Sequence, residues 1–432
     1  MKAQPLDVKS SPPYAVPLRW FALAPPMLAL TGLLLLFEGP TAVLSRWTPA
    51  ALALTHLTAL GFMGSVMLGA LVQVLPVLAG AVWPPMMFRW HLLPAAWGTG
   101  VLLLAASFLS PNPALTGTAA MLLTGTLAVF LSIAFLALAS ARNPAGGDLR
   151  RALTGFALTA LLGLGLLAQR EGIWLADHFA WVSWHVASAW SVWGLGLVAA
   201  IAYAVVPMFQ LTPPYPERFR ARWGKALWLL PLAVGAGVAF GNEVATGTAV
   251  LGALLLVPPF TVQTLQLQAR SKRPRHDATW KLWRMAMVST LAAPLAALLA
   301  AGDVLSPWWA GVIVFWGGFA AVICGMWVKI LPFLTWLHLQ QRPGRQGFPP
   351  TMLRITPEAQ ADRLWRMHAL AAALLLAGLI FPEPFMRLAG LAVIACAAQL
   401  GYILWLAVRT YRRWPQTTQA QVEVPPSTTS PG

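Results

Sequence analysis

Two histidines in this chain stand where a charge-capable side chain is expensive. His56 opens the apolar run from His56 to Pro76, and His185 opens the matching run to Pro207. A group of this kind inside hydrocarbon costs several kcal/mol and marks a functional site by default. The two lie twenty and twenty-two residues before their prolines. At about 1.5 Å of rise per residue, both imidazoles are expected at nearly the same depth. Neutral imidazole is a ligand for heme iron, copper or zinc. Two of them on facing helices could hold a b-type heme, with their nitrogens about 4 Å apart across the metal. The alternative is that each ring hydrogen-bonds to a neighbouring helix.

Other residues could join them. His178 precedes His185 by seven residues and shares its helical face, as an interfacial residue, a propionate contact or an extra ligand. Met63 and Met67 follow His56 by seven and eleven, on the same face by a 3.6-residue count. Their thioethers could bind copper or an iron, although methionine at helical spacing is more often core filler. His91, His276, His338 and His368 fall in or beside predicted inner loops, where solvated or headgroup-facing side chains are expected; His338 and His368 flank one loop and could form a cytoplasmic site. Lys329 is the one basic residue inside a span, three residues before Pro332, and its stem can reach the inner interface. Cys324 and Cys396 lie in apolar segments and read as small buried residues, with no CxxC or CxxCH spacing.

The segments that must position these residues are membrane spans. Of 432 residues, 58% are hydrophobic and 10% charged, against roughly 25% charged in soluble domains. Apolar runs of membrane length recur throughout. Twelve spans are expected, at about 17–37, 50–80, 91–109, 114–140, 151–168, 181–211, 224–240, 244–267, 281–301, 308–336, 364–381 and 386–408. Residues 1–16 read as a cytoplasmic segment without a cleavable signal peptide, 17–410 as the membrane domain, and 411–432 as a disordered cytoplasmic tail.

The net charge of +16 comes from alternate loops. Twenty-five of the 29 Lys and Arg fall on one side of the twelve-span topology, and only Arg46, Arg170 and Arg387 on the other. The other side carries Glu38, Glu171, Asp177, Glu243, Asp303 and Glu383. This asymmetry predicts a bacterial inner-membrane protein with both termini cytoplasmic. It also removes nucleic acid as a partner, because no basic stretch is interleaved with exposed aromatics. Several of the 22 tryptophans, among them Trp47, Trp174, Trp181, Trp308 and Trp309, fall at the predicted outer ends, so membrane lipid is the expected surrounding partner.

The proline-ended pattern occurs a third time, up to Pro332, without a histidine. Small residues recur seven before each proline, at Gly69, Ala200 and Gly325. Four spans separate successive prolines. The chain therefore divides into three groups of four, at about 17–140, 151–267 and 281–410.

Twelve helices in three groups of four, with long second, sixth and tenth helices, resemble subunit I of heme-copper oxidases. The stretch from His56-Leu-Thr-Ala-Leu-Gly-Phe to Val-Leu-Pro76 is similar to the second helix of oxidases that use b-type hemes. Val205–Tyr215 and Gly325–His338 look like segments of subunit-I-like bacterial membrane proteins. The resemblance covers residues 17 to 410. It implies a low-spin heme ligand on the second helix and a copper ligand on the sixth, where His56 and His185 stand. It also implies paired histidines on the seventh and a His-x-His on the tenth, and both spans lack histidine. Oxygen reduction by the family mechanism is therefore not expected. Proton pumping is disfavoured too, since the spans hold almost no Asp, Glu or Lys. The expectation is a b-heme-binding protein of oxidase-like fold, active in electron transfer or nitric oxide handling, beside a redox protein or an oxidase-type subunit. Copper or heme transport and a cofactor-free structural subunit are the alternatives.

Overall fold

The computed structural model describes residues 10–85, 91–141, 143–342 and 348–414. Lys2, Lys9, Arg89, Arg142, Arg345 and the tail from 415 lie outside them. All regular structure among the described residues is helical. Eleven helices are long and apolar enough to cross a membrane. They are α1 (Ala15–Val43), α2 (Pro49–Ala79), α3 (Leu92–Leu109), α4 (Pro113–Ala139), α5 (Pro144–Arg170) and α6 (His178–Gln210). After two shorter helices, α7 (Glu217–Ala226) and α8 (Leu229–Val238), come α9 (Asn242–Ala269), α10 (Ala278–Ala301), α11 (Trp308–Gln340), α12 (Glu358–Ile380) and α13 (Pro382–Arg413).

Several starts are written in the sequence. Thr48, Asn112, Asn143 and Asp277 each accept a bond from a main-chain N–H in the first turn of the helix that follows, and Asp177 accepts two. Pro49, Pro113 and Pro144 then occupy the first turn, where a missing N–H leaves no bond unmade. The chain ends pack together. A Cβ on Gly32 of α1 would lie 2.8 Å from the Gly390 carbonyl of α13, so these backbones approach as closely as small residues in membrane helices permit.

The seventh expected span differs from its neighbours. It is the pair α7 and α8, joined through Leu227 and Trp228. Gln210, at the end of α6, meets Gln268 and Ser271 at the end of α9. Ser183 and Thr246, near the two starts, are hydrogen-bonded at 2.8 Å. α6 and α9 therefore run parallel, and α7–α8 carries the chain back between their opposite ends. Arg220 of α7 binds Asp148 at the start of α5, while Gly235 of α8 packs under Trp184 of α6.

The three long helices share an irregularity that periodicity did not reveal. α2 is π-helical over Leu57–Gly64, α6 over Ala189–Leu195 and α11 over Ile313–Ala320. Each segment ends twelve residues before an interior proline: Gly64 before Pro76, Leu195 before Pro207, Ala320 before Pro332. Each proline lies inside its helix, which continues beyond it. The π segments of α2 and α11 pack together. Trp190 and Phe315 join those of α6 and α11 edge to face, with ring centres 5.8 Å apart.

Candidate functional site

His56 and His185 stand in the same neighbourhood, within electrostatic range of each other. Both are partly buried. His56 is the last α-helical residue before the π segment of α2. Its Nδ1 donates to the Leu52 carbonyl one turn back, at 2.8 Å. His185 reaches across to α5, where its Nδ1 donates to the Thr159 carbonyl at 3.1 Å. With Nδ1 carrying the proton, each neutral ring presents its Nε2 lone pair, and neither Nε2 has a hydrogen-bond partner among the described residues. A carbonyl behind Nδ1 is the usual way in which a protein orients a ligating imidazole and raises its basicity.

Four helices build the surroundings. A Cβ on Gly163 of α5 would sit 3.2 Å from Cε1 of His185, so the glycine makes room for the ring. Phe108, at the end of α3, lies 5.0 Å from the His56 ring centre. Arg170, at the end of α5, has its guanidinium 5.0 Å from the Phe108 ring centre. Sequence reasoning named neither Thr159 nor Gly163 nor Phe108 for the site. For Arg170 a signal existed: it is one of three basic residues on the acidic side of the molecule.

His178 is exposed, with Nδ1 bound to Gln169 Oε1 at 3.1 Å and its ring 5.8 Å from Trp47. It lies outward of the pair. Met63 and Met67 are buried in the main core. The same-face expectation rested on 3.6 residues per turn, a count that does not describe the π segment Leu57–Gly64 following His56.

Two expectations are corrected. His368 is not at an inner loop: it is fully buried on α12 and stacked on Trp316 of α11, with ring centres 4.7 Å apart. Its Nε2 donates to the Trp316 carbonyl at 3.1 Å, and the Trp316 indole N–H donates to the His368 carbonyl at 3.1 Å. His338 is elsewhere, at the end of α11, with Nε2 on the Pro12 carbonyl at 2.9 Å, so the two do not share a site. Lys329 reaches the predicted inner loop before α10, at the cap residue Asp277. It forms an ion pair with Asp277 at 2.8 Å.

The cysteines are free and buried, with Cys324 Sγ 3.8 Å from His368 Nδ1. No group of three or more His, Cys, Asp or Glu able to hold a metal ion occurs among the described residues. The arrangement thus offers two nitrogen ligands, enough for the axial positions of a heme iron but short of a three- or four-ligand copper or zinc set. No protein-family model matches this chain, and no curated protein matches it.

Proposed function

We propose that this membrane protein binds a b-type heme between His56 and His185 and serves in one-electron transfer or in the handling of nitric oxide, without reducing oxygen. One observation supports the reading: on two rings within electrostatic range of each other, both Nδ1 atoms are committed to carbonyls and both Nε2 atoms are left over. The bound iron would supply the redox or gas-binding chemistry. The protein's part is to fix the ring orientations, keep both histidines neutral and exclude water.

The wider architecture is part of the proposal. We read α7–α8 as a twelfth crossing and the chain as three groups of four helices, in the manner of heme-copper oxidase subunit I. The repeated π segments and interior prolines of α2, α6 and α11 support this. The charge asymmetry supports a bacterial inner membrane with cytoplasmic termini. A redox protein or an oxidase-type subunit is the partner this function requires.

The test is a reduced-minus-oxidised spectrum of protein purified in mild detergent. A b-type band that disappears in His56→Ala and His185→Ala is the expected result. Copper without a Soret band would favour metal transport, and neither cofactor would leave a structural subunit.

A further inference from the structure

We infer that Arg170 and Gln169 form a carboxylate-binding end of the His56–His185 site, which takes the propionate groups of the tetrapyrrole; this rests on the heme reading above. The placement follows two routes. Along α5, Thr159 and Gly163 touch His185, and Arg170 lies on the same helical face seven residues beyond Gly163. That is about 10 Å toward the acidic side, a distance suited to the span from a heme iron to its propionates. Across the helices, Phe108 is in contact with the His56 ring and also lies beneath the Arg170 guanidinium.

The donors there are incompletely used. Arg170 Nη2 donates to the Ser107 carbonyl near the end of α3. Arg170 Nη1 is buried with no partner among the described residues, and so is Gln169 Nε2, whose own Oε1 receives the His178 N–H. A buried donor without an acceptor costs about 1–3 kcal/mol, more when charged. No described carboxylate lies within ion-pair distance of Arg170. Asp177, the cap just before α6, is engaged with the N–H groups of Phe179 and Ala180. A charged fork and the neutral amide next to it in sequence offer donors complementary to carboxylate oxygens. With a heme bound, they would hold its propionate groups.

The experiment titrates heme-free full-length protein in detergent with hemin and with hemin dimethyl ester, which lacks the carboxylates. Wild type is expected to prefer the free acid by about tenfold or more, the range of a charge-assisted hydrogen bond. Arg170→Gln should lose that preference while ester affinity stays within about twofold, and Gln169→Leu should reduce it without disturbing the Arg170 contact to Ser107. Equal affinity of wild type for both compounds overturns the inference but leaves the heme site standing. So does an Arg170→Gln variant that weakens both equally, since that is the mark of a structural cap. Uptake of neither compound overturns the heme reading and this inference with it. Acetate or phosphate that raises the melting temperature of heme-free wild type but not of Arg170→Gln would assign the donors to a free anion and overturn the propionate assignment.

Discussion

His185 is oriented by a residue on another helix: its Nδ1 donates to the Thr159 carbonyl of α5 at 3.1 Å. His56 is oriented by its own helix, through Leu52. The pair is thus sensitive to the spacing between α5 and α6 at one point, and Gly163 sets that spacing. A Cβ there would stand 3.2 Å from the imidazole. Gly163→Ala is expected to lower heme affinity by about tenfold, and Gly163→Val by more, since overpacking costs about 1–3 kcal/mol. Heme titration followed at the Soret band checks this. An unchanged affinity in Gly163→Val would mean that His185 is not held where the ligand needs it.

The ligand role of His185 can be separated from its packing role. His185→Gly leaves a space the size of the missing ring, with the Thr159 carbonyl still beside it. Free imidazole at millimolar concentration should enter, donate to that carbonyl and restore the b-type spectrum. The conservative variant His185→Phe fills the space without a nitrogen and should resist rescue. Rescue of neither variant, with both folded by circular dichroism, would deny the nitrogen its part.

What the sequence made legible was the spacing of apolar runs and the sign of the loops, because hydrocarbon imposes both on every span. The three π segments were not. They arise where Gly61, Gly64, Gly194, Gly317 and Gly318 let helices close on one another, and no count of 3.6 detects a turn that departs from it. The error over His368 has a similar origin. Its place beside a predicted inner loop suggested the interface, whereas the partner that buries it, Trp316, is 52 positions away in sequence. Arg170 was visible as an exception to the charge pattern, but only the fold places it beside Phe108 and the histidines.

Lys329 and Asp277 yield a pH-dependent prediction. Burial alone would raise the Asp277 carboxyl. The Lys329 hydrogen bond and charge, the Trp280 N–H and the Arg273 charge outweigh it and hold the group below its ordinary value of 3.8. A carboxylate depressed in the folded state contributes stability that is complete above its unfolded value and is lost as pH falls through the folded one. Lys329→Met should therefore destabilise by about 2 kcal/mol at neutral pH, as expected for a charged hydrogen bond. The difference from wild type should narrow below pH 3.8. Melting temperatures in detergent across pH 3 to 7 decide it, and a constant difference over that range would show that the ion pair is not responsible.

His368 and Trp316 join α12 to α11 through two reciprocal side-chain-to-carbonyl bonds and a stacked ring pair. No contact among the described residues joins His368 or Trp316 to His56 or His185, whose partners lie on α2, α3 and α5. His368→Ala removes a fully buried ring and leaves the Trp316 carbonyl without its second donor. The lost packing and the lost bond together should cost about 3 kcal/mol, read as a fall in melting temperature, while the heme spectrum and affinity stay at wild-type values. His368→Phe keeps the stack but not the bond and should fall between the two. Loss of the heme spectrum in a folded His368→Phe protein would place the cofactor in the third group of helices and overturn the assignment to His56 and His185.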